Sequence, residues 1–294
     1  MARDPDAQDP ARDLRLQRRL RQVALVAALA VLAYLGLAVL GDGDLMRDGL
    51  QRLGPGQWLV LLGLSLFNYW LRFLRWHAYL RALGARITLG RDLLIYVAGF
   101  AFTVTPGKAG EAVRSFYLRG VGVPWSPGLA ALAVERVLDL TVILMLAALA
   151  LRVFADQALP ALLLVGLVAG LLVGVTRPRV ARALLGRLPP GGRWGRLARG
   201  TTAILDDARL LLAPRRLLVG LGMGLLAWGA EAWGFYLLLQ WLGVAAAPGH
   251  AMGIYAVGML SGALSFLPGG LGGAEAAMIA LLVAGGAVFG TAVL

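Results

Sequence analysis

Charged residues inside a membrane-like stretch are the first feature of this sequence that could do chemistry. Residues 105–111 read Thr-Pro-Gly-Lys-Ala-Gly-Glu; they follow an apolar run and precede Arg114. Pro106 cannot donate a backbone hydrogen bond and Gly107 permits unusual dihedral angles, so a helix is expected to break here. The N–H groups opening the second arm, together with Lys108, would suit an anionic group.

The length of the flanking arms indicates how this stretch meets a bilayer. Each apolar arm beside the break has about 11 residues and rises about 16 Å as a helix, half of a ~30 Å hydrocarbon core. Broken backbone at membrane depth is tolerated only against protein or a water-filled cavity. Residues 95–119 are therefore expected to form a re-entrant hairpin. The candidate ligands for an anionic head group are Arg72, Thr105, Gly107, Lys108, Gly110 and Arg114.

A second set of charges begins the third apolar run. Glu135 and Asp139 are four residues apart and share a helix face, with Arg136 beside them. They could bind a cation, relay a proton, or form an ion-pair network that holds Lys108 and Arg114 in place.

Three further charged residues are candidates for charge balance or proton coupling. Glu111 and Glu275 each follow a Pro-Gly break, so they could pair with each other or cap local backbone. Glu231 lies within an apolar run, and an acidic side chain cannot reach far towards the membrane surface. Arg72 has an alternative role, in which its side chain extends to the cytoplasmic interface beside Arg75.

Composition defines the elements that must position these residues. The 294 residues are 59% hydrophobic and include 40 glycines and no cysteine, so disulfides and thiolate metal sites are excluded. Mean hydropathy is +0.75. The fold class is therefore an all-α polytopic membrane protein, with about six membrane-spanning helices and two Pro-Gly-broken re-entrant segments. The expected spans are residues 23–40, 58–74, 129–151, 159–176, 217–242 and 276–294.

The distribution of charge predicts the orientation. The net charge of +12 comes from arginines concentrated in particular loops, as in membrane proteins, so a nucleic-acid partner is not expected. Residues 1–22 form a basic cytoplasmic arm, and residues 23–294 form a single transmembrane domain. A re-entrant first segment also places the Arg-rich loop 177–216 in the cytoplasm. Within this loop, residues 195–212 could form an interfacial helix or a solvated loop.

An internal repeat is also visible. An offset of 159 residues aligns Gly84 with Gly243, Tyr96 with Tyr255 and Arg72 with Glu231, among other pairs. Repeat 1 spans about 57–176 and repeat 2 about 217–294, which stops early. The predicted orientation makes the repeats inverted, a feature of alternating-access and lipid-moving proteins. The hinges of the two broken helices are expected at Pro106, Pro268, Gly269 and Gly270.

Four segments together resemble the lysylphosphatidylglycerol synthase transmembrane, or flippase-like, family. They are Arg-Phe-Leu-Arg-Trp at 72–76, residues 99–119 around TPGKAGE, Glu-Arg-Val-Leu-Asp at 135–139, and LSFLPGGLGGAE at 264–275. The resemblance implies an inner-membrane protein that handles anionic or polyprenyl-linked lipids. The aminoacyl-transferase domain of the multiple peptide resistance factor is absent, so lysine transfer is not expected. A terminal span present in relatives is also expected to be missing or shortened.

The leading hypothesis is a lipid translocase of the bacterial inner membrane whose partners are anionic phospholipids or polyprenyl-phosphate lipids. The alternatives are a membrane-embedded transferase acting on lipid phosphates and a non-catalytic partner of a lipid or glycan synthase. No soluble-enzyme motif is present, so no catalytic residue, metal or cofactor is assigned. A homo-oligomer is compatible with the sequence.

Overall fold

The computed structural model describes residues 51–100, 111–150, 191–265 and 272–286, together with Gly166, Gly170 and Gly270. All regular structure in these ranges is helical, as expected for an all-α protein. In chain order the α-helices are α1 (Pro55–Ala82), α2 (Leu89–Phe100), α3 (Val113–Arg119), α4 (Trp125–Ala147), α5 (Gly192–Leu211), α6 (Pro214–Trp241), α7 (Pro248–Leu264) and α8 (Gly273–Ala284).

The two longest helices, α1 and α6, begin and end in the same way. Each begins with a proline, Pro55 or Pro214, whose fixed φ suits the first turn, where no N–H is needed. Each is followed by a glycine with positive φ, Gly84 at 83° and Gly243 at 81°. The N–H after each glycine bonds to the carbonyl five positions back, at 3.0 Å for α1 and 2.9 Å for α6. Glycine adopts this conformation without strain, so the sequence specifies both ends.

The 159-residue offset found in the sequence relates the bounds of these helices. It carries Pro55 to Pro214 and Ala82 to Trp241, so α1 and α6 each have 28 residues and correspond from end to end. The same offset carries the first residue of α2 to the first residue of α7. Two glycine-terminated helices of equal length are therefore each followed by a short turn and another helix.

Helices α1 and α6 pack against each other as an antiparallel pair. Near their middle, the side-chain amide of Asn68 donates a hydrogen bond to the carbonyl of Ala227 at 2.8 Å. Seven residues further along α1, Arg75 donates to the carbonyl of Gly220 at 3.3 Å, which lies seven residues back along α6. Contacts at higher residue numbers on α1 are therefore made to lower residue numbers on α6, so the two helices run in opposite directions.

These contacts also occur in pairs related by the offset. Asn68 and Ala227 correspond to each other, so their hydrogen bond lies at the centre of the arrangement. Gly234 and Leu61 are the counterparts of Arg75 and Gly220, and they also contact each other. A Cβ added to Gly234 would lie 3.6 Å from Leu61 Cδ2. The interface between α1 and α6 is therefore approximately self-complementary.

Helix α4 lies at the centre of the described structure. It packs against α1, α3, α5, α6 and α7. One core cluster joins it to α1, α2, α3 and α5 around Trp76 and Leu138, and a second joins it to α6 and α7 around Val142 and Trp228. Its carboxylates Glu135 and Asp139 consequently face protein rather than the molecular surface.

The outer surface is strongly apolar. Leu59, Leu62 and Leu66 on α1 are more than half exposed, as are Leu218 and Leu226 on α6. Exposed leucines at such spacing suit a lipid environment. By length and composition, α6 qualifies as a membrane span among the described residues, and α8 is a shorter apolar helix.

The structure describes the predicted spans in part. Residues 58–74 lie within α1, and most of 129–151 lies within α4. Residues 195–212 form most of helix α5, which packs on α4 rather than forming a loop. The expected spans at 23–40 and, apart from two glycines, 159–176 lie outside the described residues.

Candidate functional site

Charged side chains from α1, α4 and the start of α3 meet inside the molecule. Arg72 and Arg75 are three residues apart on one face of α1, and Glu135 and Asp139 are four apart on the facing side of α4. We call the assembly the charged network; its members are Arg72, Arg75, Glu111, Arg114, Glu135, Arg136 and Asp139.

Asp139 joins α4 to α1 through two arginines. Its Oδ1 accepts a hydrogen bond from Arg75 Nη2 at 2.5 Å, and its Oδ2 lies 3.3 Å from Arg72 Nη2. The three residues are only 1–6% exposed. Charges this deeply buried are stable only when paired, so each depends on the others.

Glu135 connects this group to α3. Its Oε1 lies 3.9 Å from Arg75 Nη2, and its Oε2 lies 3.6 Å from Arg114 Nη1. Both Glu135 and Arg114 are fully buried. Glu135 therefore joins α1 to the segment that follows the predicted first helix break.

Glu111 completes the network near its surface end. Its Oε2 lies 3.1 Å from Arg114 Nη2 and also pairs with Arg136. The Arg136 side chain is 30% exposed, whereas that of Glu111 is 2% exposed. The pairs thus lead from a partly exposed arginine to the buried centre.

The signs alternate along the whole network. In order of contact its members are Arg136, Glu111, Arg114, Glu135, Arg75, Asp139 and Arg72. Four guanidinium groups face three carboxylates, so with the carboxylates ionised the network carries one excess positive charge. An arginine stands at each end, and such an arrangement favours an anion as the ligand.

Arg114 is held by aromatic rings as well as by carboxylates. Its guanidinium carbon lies 4.0 Å from the ring centroid of Tyr96, 5.4 Å from that of Trp76 and 5.2 Å from that of Phe100. Stacking of this kind stabilises a desolvated cation. Its Nη1 and Nη2 form ion pairs with Glu135 and Glu111, but none of its guanidinium nitrogens forms a well-directed hydrogen bond with the described residues.

Helix α6 contacts the opposite end of the network. Arg72 lies over the ring of Trp228 at 5.1 Å, and it is buried rather than extended to an interface. Glu231, on the next turn of α6, accepts a hydrogen bond from Ser65 Oγ at 3.1 Å. Glu231 therefore lies beside the network without an ion pair to it in the described structure.

The structure brings together six of the predicted site residues, all within the charged network: Arg72, Glu111, Arg114, Glu135, Arg136 and Asp139. Glu275 lies apart and accepts a hydrogen bond from the backbone N–H of Gly272 at 2.7 Å, capping local backbone. Gly270 has a φ of 76° and packs closely on the backbone of Gly262. The remaining candidates lie outside the described residues: Thr105, Pro106, Gly107, Lys108, Gly110, Pro268 and Gly269.

Two buried residues were not selected from the sequence as site residues. Arg75 was interpreted only as an interfacial arginine, although its three-residue spacing from Arg72 was a signal that both share a helix face. Asp92 is fully buried and accepts hydrogen bonds from Trp76 Nε1 at 3.0 Å and pairs with His77 Nδ1 at 2.6 Å. Its place in the first turn of α2 indicates a stabilising role there.

Helical structure, an apolar surface and buried charges together define a helical membrane protein. The chain belongs to the family described as the lysylphosphatidylglycerol synthase TM region, which matches residues 22–294. This membership confirms the resemblance seen in the sequence.

A curated relative is the glycosyltransferase AglD of Haloferax volcanii. It is 32% identical over 140 residues, which cover 44% of this chain and 21% of that protein. The matched region is thus about a fifth of the relative's length. No solved structure matches the chain.

Proposed function

We propose that this protein is a lipid translocase that binds the head groups of anionic phospholipids or polyprenyl-phosphate-linked lipids and moves them between leaflets of the bacterial inner membrane. Family membership supports a role connected with membrane lipids. The charged network is the observation that carries the proposal, because a charged head group needs a polar path across the hydrocarbon core.

The network has the charge that such a path requires. Arg72 and Arg114 are buried cations with guanidinium nitrogens that lack hydrogen-bond partners in the described structure. A lipid phosphate offers oxygens that accept bonds from guanidinium groups in a bidentate manner. Lys108 is the third proposed ligand, because in the sequence it precedes Arg114 by six residues and follows the predicted break.

The geometry of α1 and α6 supports an inverted repeat as the framework of the path. The two helices correspond over their full lengths under the 159-residue offset, and they pack antiparallel. Related segments that run in opposite directions are expected when one repeat is inverted relative to the other. In this proposal the two Pro-Gly segments are re-entrant and form the two halves of the path.

The name of the archaeal relative favours a second candidate, a transferase acting on lipid phosphates. Its base would be Glu111, Glu135 or Asp139. Each of these carboxylates is paired with two arginines in the structure, which favours a role in holding charge over a role in accepting a proton. A non-catalytic partner of a synthase is the third candidate.

Leaflet exchange in sealed proteoliposomes tests the proposal. Head-group-labelled phosphatidylglycerol is expected to exchange with the native chain, and Lys108→Ala is expected to slow exchange about tenfold or more, since one charge-assisted hydrogen bond is worth about 1.5–3 kcal/mol. The exposed Arg86 gives the matched control, because Arg86→Ala also removes one positive charge.

The outcomes separate the candidates. Exchange that Lys108→Ala slows and Arg86→Ala does not supports a lipid path through the first broken segment. Equal effects of the two substitutions contradict the assignment of Lys108. If lipid exchange is absent but group transfer to a soluble acceptor occurs in detergent, the protein is the transferase. If neither activity is seen unless a synthase is added, the protein is the non-catalytic partner of that synthase.

A further inference from the structure

A cavity of about 470 Å³ lies between the cytoplasmic end of α1, in the proposed orientation, and the start of α6. Its polar walls come from Arg75 and Tyr79 of α1 and from Arg215 and Arg216 of α6. The volume falls in the range of sites that bind small molecules or head groups. The cavity contains none of the site residues predicted from the sequence.

Tyr79 shows that the cavity holds unused hydrogen-bonding capacity. Its side chain is 4% exposed, and its hydroxyl has no hydrogen-bond partner in the described structure. The hydroxyl lies against Gly220, another residue of the cavity wall, where an added Cβ would collide with it. A buried hydroxyl without a partner is costly, and a ligand oxygen in the cavity would supply that partner.

Three arginines give the cavity a positive charge. Arg75 forms its inner side and also belongs to the charged network through Asp139. Arg215 and Arg216 are exposed at its mouth, in the first turn of α6, where backbone N–H groups also favour an anion. Arg216 Nη1 donates to the carbonyl of Leu210 at 2.7 Å, which fixes its side chain at the end of α5.

The remaining wall is apolar and reaches the outer surface of the protein. Ala78 and Val219 line the cavity and are exposed on the outer surface of α1 and α6, and Met223 lies deeper. A soluble anion gains nothing from contact with an apolar wall, whereas the glycerol and first acyl carbons of a lipid are stabilised by packing against it. The combination of basic mouth and apolar side therefore favours a lipid over free phosphate.

We infer that this cavity binds the phosphate-bearing head group of an anionic lipid at the membrane surface. The phosphate accepts hydrogen bonds from Arg215, Arg216 and the Tyr79 hydroxyl, and its nearest buried neighbour is Arg75. Because Arg75 also bonds to Asp139, the site lies at the entrance to the charged network. The inference rests on the proposed function in taking a lipid as the ligand, but it does not require transport.

Equilibrium binding of fluorescent phosphatidylglycerol to the full chain in neutral detergent tests the site. Arg215→Gln combined with Arg216→Gln is expected to weaken binding about tenfold or more. Tyr79→Phe removes only the hydroxyl and is expected to weaken binding severalfold. The matched control combines Arg86→Gln with Arg196→Gln, which removes the same charge from two exposed arginines outside the cavity.

The site is supported if phosphatidylglycerol binding weakens only in the cavity variants and if phosphatidylcholine and inorganic phosphate compete poorly. If binding weakens equally in the control double variant, general surface charge explains it and the site is wrong. The site is also wrong if binding is unchanged in the cavity variants and in the control. Competition by inorganic phosphate at equal concentration overturns the choice of a lipid. Intact phosphatidylglycerol binding without leaflet exchange would refute the translocase while leaving this site in place.

Discussion

Asp139 is the carboxylate on which the inner end of the charged network depends. It is the acidic partner of both Arg72 and Arg75, at 3.3 and 2.5 Å, and all three side chains are buried. Two buried guanidinium groups cannot lose their charge, because arginine stays protonated in proteins. Their shared counter-ion therefore determines whether α1 can pack against α4.

Asp139→Asn tests this role with little change of shape. The substitution leaves the buried Arg72 without its ionised partner and leaves Arg75 with only Glu135, at 3.9 Å, so we expect the protein to lose about 3 kcal/mol or more of stability. Thermal unfolding of the detergent-purified protein, followed by intrinsic tryptophan fluorescence, measures the effect. Asp206→Asn is the control at an exposed carboxylate; interactions at such a position are screened by solvent, so a change of at most about 1 kcal/mol is expected. Similar shifts for the two variants would contradict the counter-ion role.

At the scale of the helices, some features depend only on local sequence. Pro55 and Pro214 begin helices and Gly84 and Gly243 follow their ends through their own backbone conformations, although the expected spans at 58–74 and 217–242 did not use these signals. The same is true of the shared face of Glu135 and Asp139, since four-residue spacing is a local property of a helix.

Partners distant in the chain could not be predicted in the same way. Arg75 and Asp139 are 64 residues apart, and no local pattern states which arginine a carboxylate will meet. The buried pairing of Asp92 with Trp76 and His77 likewise depends on how α2 folds back on α1. The alignment of the two repeats is the sequence feature that comes nearest to predicting a long-range contact, because it relates the segments that form α1 and α6, which pack against each other in the structure.

Close packing between α7 and the end of α4 gives a prediction at this scale. A Cβ on Gly253 would lie 2.6 Å from the Cβ and 2.7 Å from the Cα of Ala150, so Gly253→Ala is expected to cost about 1–3 kcal/mol of stability. Gly249, one turn earlier on α7, has open space around its added Cβ. Gly249→Ala is therefore expected to be neutral or slightly stabilising by the same thermal measurement. Equal losses at both positions would show that general helix effects, not this contact, dominate.

At the scale of the whole molecule, the antiparallel interface between α1 and α6 adjoins the basic cavity. The antiparallel contacts from Leu61 to Arg75 relate the two halves of the chain, and the same helices border the basic cavity at one end. Arg75 is common to the interface, the cavity and the charged network. A head group that entered the proposed cavity would thus already be next to the buried charges that the proposed path requires.

The proposed inverted arrangement makes a prediction about sidedness, which is simple to test because the sequence has no cysteine. Single cysteines at Ala109 and Ala274, each just beyond a Pro-Gly segment, are expected to react with a membrane-impermeant maleimide from opposite sides, cytoplasmic for Ala109 and external for Ala274. Arg196→Cys on α5 provides the reference for the cytoplasmic side, because that side chain is exposed and lies in the loop that the charge distribution predicts to be cytoplasmic. Inside-out and right-side-out vesicles give the two measurements. Labelling of both sites from the side that labels the reference would show that the two segments enter from one leaflet, and the proposed path with halves on opposite sides of the membrane would be wrong.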